Sequence, residues 1–107
     1  MLKIGWTTVE TSETAHALAR NAVETKLIVC AQVDSPITSY YRWDGEIQTT
    51  KEFRLTFKFL PSHQERLEAW LHSRHPYDTP EWIVMNADSV AEKYLSWAKA
   101  NSSSLSL

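Results

Sequence analysis

The sequence is poor in several residues and patterns that mark particular classes of protein. Among its 107 residues there is one cysteine, Cys30, which excludes a disulfide within the chain and any metal motif built on cysteine pairs. With only two glycines, the chain has no glycine-rich phosphate-binding loop. No apolar run approaches the roughly 20 residues of a membrane span, and residues 1–6 lack the apolar stretch of a signal peptide. We therefore expect a cytoplasmic protein with no membrane partner.

The charge of the chain is low and evenly distributed. Thirteen acidic residues stand against eleven basic ones, the net charge is −2, and no block of like charge occurs. Nucleic-acid-binding proteins usually carry a basic patch, so we expect no nucleic-acid partner. The length suits one domain, which we place at residues 1–100. The serine-rich residues 101–107 predict a flexible C-terminal tail.

The spacing of apolar residues predicts the order strand, helix, strand, strand, helix, strand and a short final helix. Residues 2–9 alternate in polarity, residues 15–23 carry an apolar stripe at helical spacing, and residues 27–31 form a continuous apolar run typical of a strand covered on both faces. This order predicts an α+β fold of the ferredoxin-like, split β-α-β type. Its antiparallel sheet would carry both main helices on one face.

A long hairpin is the clearest local prediction. Asp44-Gly45 is a typical hairpin turn, and the return strand that follows alternates in polarity. Its apolar side consists of Phe53, Leu55, Phe57 and Phe59. The two helices after the hairpin are each preceded by a serine with a glutamate three residues later, which predicts two capping boxes, Ser62/Glu65 and Ser89/Glu92.

The hairpin carries more aromatic side chains than a solvated sheet face normally holds. Tyr40, Tyr41 and Trp43 come directly before the turn. A long hairpin with aromatic faces and free edges is prone to aggregation unless another chain covers it. The sequence therefore predicts an oligomer.

Residues 75–81, His-Pro-Tyr-Asp-Thr-Pro-Glu, are the densest group of polar side chains. Their two prolines stiffen the backbone and hold the side chains in fixed directions. Four interpretations remain open: a rigid link with a buried histidine, a cap on the preceding helix by His75, a metal site that joins His72 and His75 to Asp78 or Glu81, and an acid–base pair of His75 and Glu81.

A second group of candidates lies on the hairpin. Glu52 and Lys58 have the same parity, so both lie on one face of the return strand. They are either solvated or, beside Tyr41 and Trp43 in a crevice between subunits, able to bind a small anion or a metal complex. Cys30, on a buried strand, is most simply a small core residue.

These motifs together resemble the CutA divalent-cation-tolerance family. The matching segments extend over nearly the whole chain, and the hairpin and the His-Pro-Tyr-x-x-Pro-Glu run are specific. They are residues 7–9, 27–31, 39–46, 75–81 and 94–97, together with Glu52, Leu55 and Lys58.

The resemblance implies a ferredoxin-like subunit in a homotrimer similar to that of the PII signalling proteins, which hold small ligands in clefts between subunits. It implies a link to copper tolerance and no catalytic activity. It also implies a copper site made by a cysteine at the end of the first strand and two adjacent histidines before a proline. Those positions hold Thr7, Arg74 and His75 here, so His75 is the one family ligand retained. Copper(II) prefers imidazole nitrogen, and the Arg74 guanidinium would repel a cation.

Three functional hypotheses follow. The first is a non-enzymatic homotrimer of divalent metal ion homeostasis that requires no cofactor and binds copper(II) or another divalent cation weakly, through His75 with help from Asp78, Glu81, His72 or a second chain. The second is a PII-like sensor with a ligand in clefts between subunits. The third is an enzyme that uses His75 and Glu81. The predicted cleft residues are Tyr41, Trp43, Glu52, Lys58, Tyr77 and Glu81.

Overall fold

The structure is a computed structural model, and it describes residues 1–103. Five strands and three helices follow the predicted order, with one strand more than that order contains because both arms of the hairpin form strands after the second strand. The strands are β1 Lys3–Val9, β2 Cys30–Val33, β3 Ile37–Trp43, β4 Glu46–Phe59 and β5 Ile83–Asn86. The helices are α1 Ser12–Glu24, α2 Gln64–Arg74 and α3 Glu92–Ala100.

All strand pairs are antiparallel, and the long strand β4 pairs with three partners. The sheet order is β2-β4-β1-β5, and β3 pairs with the first half of β4 beyond the end of β1. The predicted α+β class with an antiparallel sheet is therefore confirmed. Residues Asp44 and Gly45, with φ of 54° and 79°, make the hairpin turn between β3 and β4 as predicted.

The core lies between one face of the sheet and helices α1 and α2. Leu55, Phe57 and Phe59 of β4 are fully buried, as their alternation predicts. The apolar stripes of both helices pack on them through Ala15, Leu18, Ala22, Leu67 and Leu71. Burial of this apolar surface is the main source of stability.

The short helix α3 packs near one end of the other sheet face. Its Ala98 is fully buried against Leu2 and Val29. The alternate residues of β4 lie on this face, and Lys58 places its Nζ atom 5.9 Å from the centre of the Tyr94 ring. The two ends of β4 therefore have different neighbours on this face, helix α3 at one end and the hairpin at the other.

The predicted second strand exists but is displaced along the chain: it spans Cys30–Val33, which overlaps the predicted residues 27–31 only at Cys30 and Ala31. Lys26 has φ of 63°, so the chain leaves α1 through a left-handed turn and reaches the sheet late. Ile28 and Val29 are buried as part of an irregular link, and Val29 donates the first backbone hydrogen bond to Lys58, at 2.9 Å. An apolar run thus indicated burial here and not strand pairing.

The two predicted capping boxes are also absent. Residues Pro61–His63 form a 3₁₀ turn, so α2 begins after His63 without a side-chain cap. Helix α3 begins after Ala91, again without one. The serines lie too early in each case, because the chain turns before the helix starts. Helix α1, by contrast, has a side-chain cap, because Thr11 Oγ1 accepts a hydrogen bond from the Thr14 N–H, at 3.1 Å.

The first residues of the expected C-terminal tail are held by hydrogen bonds. Ser103 donates its N–H to the Lys26 carbonyl, at 2.8 Å, and its own carbonyl lies 3.1 Å from Nε2 of the buried His63. Residues 104–107 of that predicted tail lie outside the described residues. Within residues 1–103, no helix combines the length and apolarity needed to cross a bilayer.

Gly5 → Ala should destabilise the fold through one close contact. A Cβ atom at Gly5 would lie 2.5 Å and 2.9 Å from two carbons of the Trp82 ring, which itself stacks on Phe59. We expect a loss of about 1–3 kcal/mol in the free energy of unfolding, measured by urea denaturation. In a Trp82→Leu background the loss should shrink, and an equal loss in both backgrounds would contradict the contact as its cause.

Candidate functional site

A groove of about 600 Å³ opens at the base of the hairpin. Strands β3 and β4 form one wall, and the segment that follows α2 forms the other, where it passes the end of β1. Four rings line the groove: Tyr40, Tyr41, Trp43 and Tyr77. The two prolines around this segment have fixed φ, which sets the path of the second wall.

The polar lining of the groove is acidic. Four carboxylates line it, and no lysine or arginine of residues 1–103 does: they are Glu10, Glu52, Asp78 and Glu81. Glu52 is 8% exposed and lies on the floor, whereas the other three are exposed at the rim. The remaining polar lining is made of hydroxyl groups, those of Thr8, Ser39, Thr50 and Thr79. This composition favours a cation over an anion.

One hydrogen bond joins the two walls of the groove. The Tyr77 hydroxyl donates to Glu52 Oε2 at 2.8 Å. Burial, followed by this hydrogen bond and the charge of Glu52, raises the pKa of Tyr77 far above its ordinary value. Tyr77 therefore remains a donor throughout the physiological range, and Glu52 accepts as a carboxylate oxygen. On the hairpin side, the Tyr41 and Thr50 hydroxyls lie 2.9 Å apart.

Glu81 lies at the rim, near the charge of Glu52. Partial burial of its carboxyl group, followed by the negative charge of Glu52, raises the pKa of Glu81, and Arg54 opposes this shift. Arg54 is itself committed to Asp34, with its Nε and Nη2 atoms 2.9 Å and 2.8 Å from the same carboxylate oxygen. The Arg54 guanidinium therefore stabilises the nearby negative charge of Glu81, although it does not line the groove.

His75 is buried behind the groove and both of its ring nitrogens have partners. Nδ1 accepts the Tyr77 N–H at 3.1 Å, so the neutral ring carries its proton on Nε2. Nε2 lies 3.0 Å from the Thr8 carbonyl and 3.0 Å from Thr7 Oγ1. Burial lowers the pKa of His75, which favours the neutral form. His75 is also the C-terminal cap residue of α2, and it is its backbone N–H that donates to the Leu71 carbonyl.

His72 and Arg74, the neighbours of His75 on α2, have contacts of their own. His72 is exposed and its Nδ1 contacts the Glu68 carbonyl at 2.9 Å. The Arg74 guanidinium lies 5.7 Å from the centre of the Trp70 ring, which holds it on the surface of α2. Across residues 1–103 the chain presents no cluster of three or more His, Cys, Asp or Glu side chains that could hold a metal ion.

Of the six predicted cleft residues, five line the groove and one does not. Tyr41, Trp43, Glu52, Tyr77 and Glu81 come together there. Lys58 is the exception, because it contacts the Tyr94 ring on α3. Equal parity placed it on the correct face of β4, but six residues along a strand separate it from Glu52 by about 20 Å. Two residues on the same face of a long strand therefore need not belong to the same site.

The groove also contains residues that the sequence analysis did not select. Glu10 and Thr8 come from the end of β1, and Thr50 comes from β4. Glu10 directly follows a predicted strand, which was the available signal. Selecting Glu10 from this signal would have required the strand register. Val9 pairs with Phe53, and this pairing places the end of β1 beside Glu52.

His75 should make stability depend on pH. Because burial lowers its pKa below 6.5, the unfolded chain binds a proton first as the pH falls. Stability from this group is complete above about pH 6.5 and is lost as the pH falls towards the folded-state pKa. In urea denaturation, the wild type should lose more free energy of unfolding between pH 7.5 and pH 5.5 than His75→Gln. The other three histidines are common to both proteins, and equal losses would contradict this assignment.

Known proteins of similar sequence and structure were compared with the chain. Residues 3–101 match the family model of the CutA1 divalent ion tolerance protein. The Divalent-cation tolerance protein CutA of Escherichia coli is 38% identical over 88 residues, which are 82% of this chain and 79% of that protein. The solved structure of CutA from Synechococcus elongatus has a TM-score of 0.91 at 36% identity, covering 95% of this chain and 90% of that one.

A more distant structure shares the fold alone. It comes from Archaeoglobus fulgidus, is named a periplasmic divalent cation tolerance protein CutA, and has a TM-score of 0.90 at 24% identity over 94% of this chain and 98% of that one. The family model spans almost the whole described chain, and the bacterial relative exceeds 30% identity over most of it. The chain thus belongs to the CutA1 divalent ion tolerance protein family.

Proposed function

We propose that the protein is a non-enzymatic homotrimer of divalent cation tolerance whose groove holds a cation weakly. One observation carries this proposal: four carboxylates line the groove and no basic side chain of residues 1–103 joins them. Charges of one sign lining a cleft raise the local concentration of counter-ions. The absence of a required cofactor and of catalysis is part of the same proposal, together with a subunit of the ferredoxin-like type.

The trimer is supported by the apolar surface that one subunit leaves uncovered. On the hairpin, Tyr40, Ile47 and Trp43 are 72%, 68% and 60% exposed. On β5, at the edge of the sheet, Ile83 and Met85 are 52% and 55% exposed. Such large exposed apolar residues on sheet strands are typical of a surface that another chain covers. Family membership favours a trimer as that assembly.

The cation in this proposal is divalent and weakly bound. Carboxylates suit hard divalent ions, whereas copper(II) prefers imidazole, and His75 would have to give up its contacts with Thr7 and Thr8 to supply one. Groups from a second chain could complete the coordination. We propose the cytoplasm as the location, because a lone Cys30 suits a reducing compartment.

The PII-like alternative is favoured by the aromatic walls. Four rings beside about 600 Å³ of space suit an organic ligand better than a bare metal ion. In this alternative the groove lies between subunits of the trimer, and a bound ligand changes the contact with a partner protein. The carboxylates argue against an anionic ligand in that role.

Glu81→Gln should weaken copper(II) binding by roughly tenfold, because it removes one charge close to the bound ion. The measurement is calorimetry of the tag-free trimer against a competing chelator. Glu68→Gln, on the exposed surface of α2, is the matched control and should bind as the wild type does. His75→Ala is titrated alongside. Binding that is lost in His75→Ala and kept in Glu81→Gln would contradict a carboxylate site.

Trp43→Ala should weaken the assembly more than it weakens ligand binding. The side chain is 60% exposed in one subunit, and burying an aromatic ring against a second chain contributes a large share of an interface. Light scattering of dilute protein should give a molar mass below that of the trimer, while Trp43→Phe, which keeps a ring, should remain closer to it. An unchanged trimer in Trp43→Ala would contradict this role.

A further inference from the structure

The groove combines two features that together select a particular class of ligand. Its floor has the buried carboxylate of Glu52, and its walls have the rings of Tyr41 and Tyr77 together with those of Tyr40 and Trp43, which the proposed trimer would place at the boundary with the next subunit. A bare metal ion gains from the carboxylates and almost nothing from the rings. An anion is repelled by the carboxylates. A small organic cation gains from both, because ring faces attract a positive charge and also cover an alkyl chain.

Glu52 supplies the anchoring position for such a ligand. The side chain is more than nine-tenths buried, and a buried carboxylate needs its lone pairs satisfied. Tyr77 satisfies Oε2, and that is the one hydrogen bond which residues 1–103 give to this carboxylate. Oε1 is not among the buried atoms without a partner, so it is open to the groove as an acceptor. A group with both a positive charge and N–H donors makes the strongest hydrogen bond to such an oxygen.

We propose that the groove binds a small organic cation carrying a protonated amine, with its ammonium group on Glu52 Oε1 and its alkyl part between the rings. A diamine fits the full lining, since a second ammonium group would reach the exposed carboxylates at the rim, those of Glu10, Asp78 and Glu81. The space of about 600 Å³ admits a ligand of this size with room left for water. This inference rests on the proposed function only in taking the groove as the cation site.

Burial explains why Glu52 contributes more to the binding of an amine than the carboxylates at the rim do. Exposed charges are screened by water and salt, so a rim carboxylate attracts a hydrated ammonium group only weakly, whereas it can coordinate a divalent metal ion directly. Glu52 is held in place by Tyr77, and its charge acts in a partly water-excluded environment where electrostatic attraction is stronger. Removal of its charge alone should therefore cost most of the affinity for an amine.

The test is calorimetric titration of the trimer with putrescine (1,4-diaminobutane) at constant ionic strength. We expect the wild type to bind it and to show no heat with 1,4-butanediol, which has the same chain without the charges. Glu52→Gln keeps an acceptor for Tyr77 and removes the charge, so it should bind about tenfold more weakly. Glu68→Gln on α2 should bind as the wild type does.

Equal binding by the wild type and Glu52→Gln would mean a diffuse attraction to the acidic rim, and it would overturn the proposal. So would binding of butanediol with equal strength. If Glu52→Gln does not keep the molar mass of the trimer, Tyr41→Leu takes its place: loss of one ring should weaken putrescine severalfold while leaving the four carboxylates unchanged. Unchanged affinity in that variant would also overturn the proposal.

A copper(II) titration of the same sample separates this inference from the proposed function. Copper binding that depends on Glu81, with no putrescine binding, would support the proposed function and overturn the inference. Putrescine binding without copper binding would support the inference and overturn the proposed function. Mutual competition supports both, because each cation then occupies the same carboxylates, and the absence of both kinds of binding rejects both.

Discussion

The 14-residue strand β4 is the element on which both the core and the groove depend. Its second half carries Leu55, Phe57 and Phe59 into the core and pairs with β1 and β2. Its first half extends beyond the end of β1 and pairs with β3 alone. An extension of this kind has little core beneath it, so it must find other cover. The groove lies at the boundary, where the covered half of β4 becomes the uncovered half.

Two polar residues, the buried His75 and the half-buried Tyr77, hold the second wall against this boundary. His75 fixes the start of the segment by bonding to Thr8 at the end of β1, and Tyr77 fixes its next turn by bonding to Glu52. Each bond has a buried partner, and a buried polar group left unpaired costs more than an average hydrogen bond contributes. The groove is therefore defined by pairs that are costly to break, even though most of its rim is exposed. This explains how a groove between a loop and a hairpin can be well shaped although it lies at the surface.

The sequence predicted the fold class and most of the groove because both depend on strong local patterns. Alternation identified the buried face of β4, and Asp44-Gly45 identified the hairpin turn. The errors have a common cause, which is that one-dimensional spacing does not fix where a segment meets the sheet. Parity and the family resemblance assign Lys58 to the site, but it lies at the other end of β4. Ile28 and Val29 are buried without belonging to a strand. Both questions are decided by strand register, which depends on contacts distant in sequence.

The altered copper positions show how a change of residue type can keep a contact and change its chemistry. The family resemblance implies that position 7 and position 75 belong to one site, and the structure places Thr7 Oγ1 and His75 Nε2 3.0 Å apart. A thiolate at position 7 would leave this pair able to coordinate a metal, whereas a hydroxyl converts it into a hydrogen bond inside the fold. Arg74 completes the change, because its guanidinium lies over Trp70 on the helix surface and supplies no ligand. Both ring nitrogens of His75 thus have partners inside the fold, and in our proposal cation binding falls to the carboxylates of the adjacent groove.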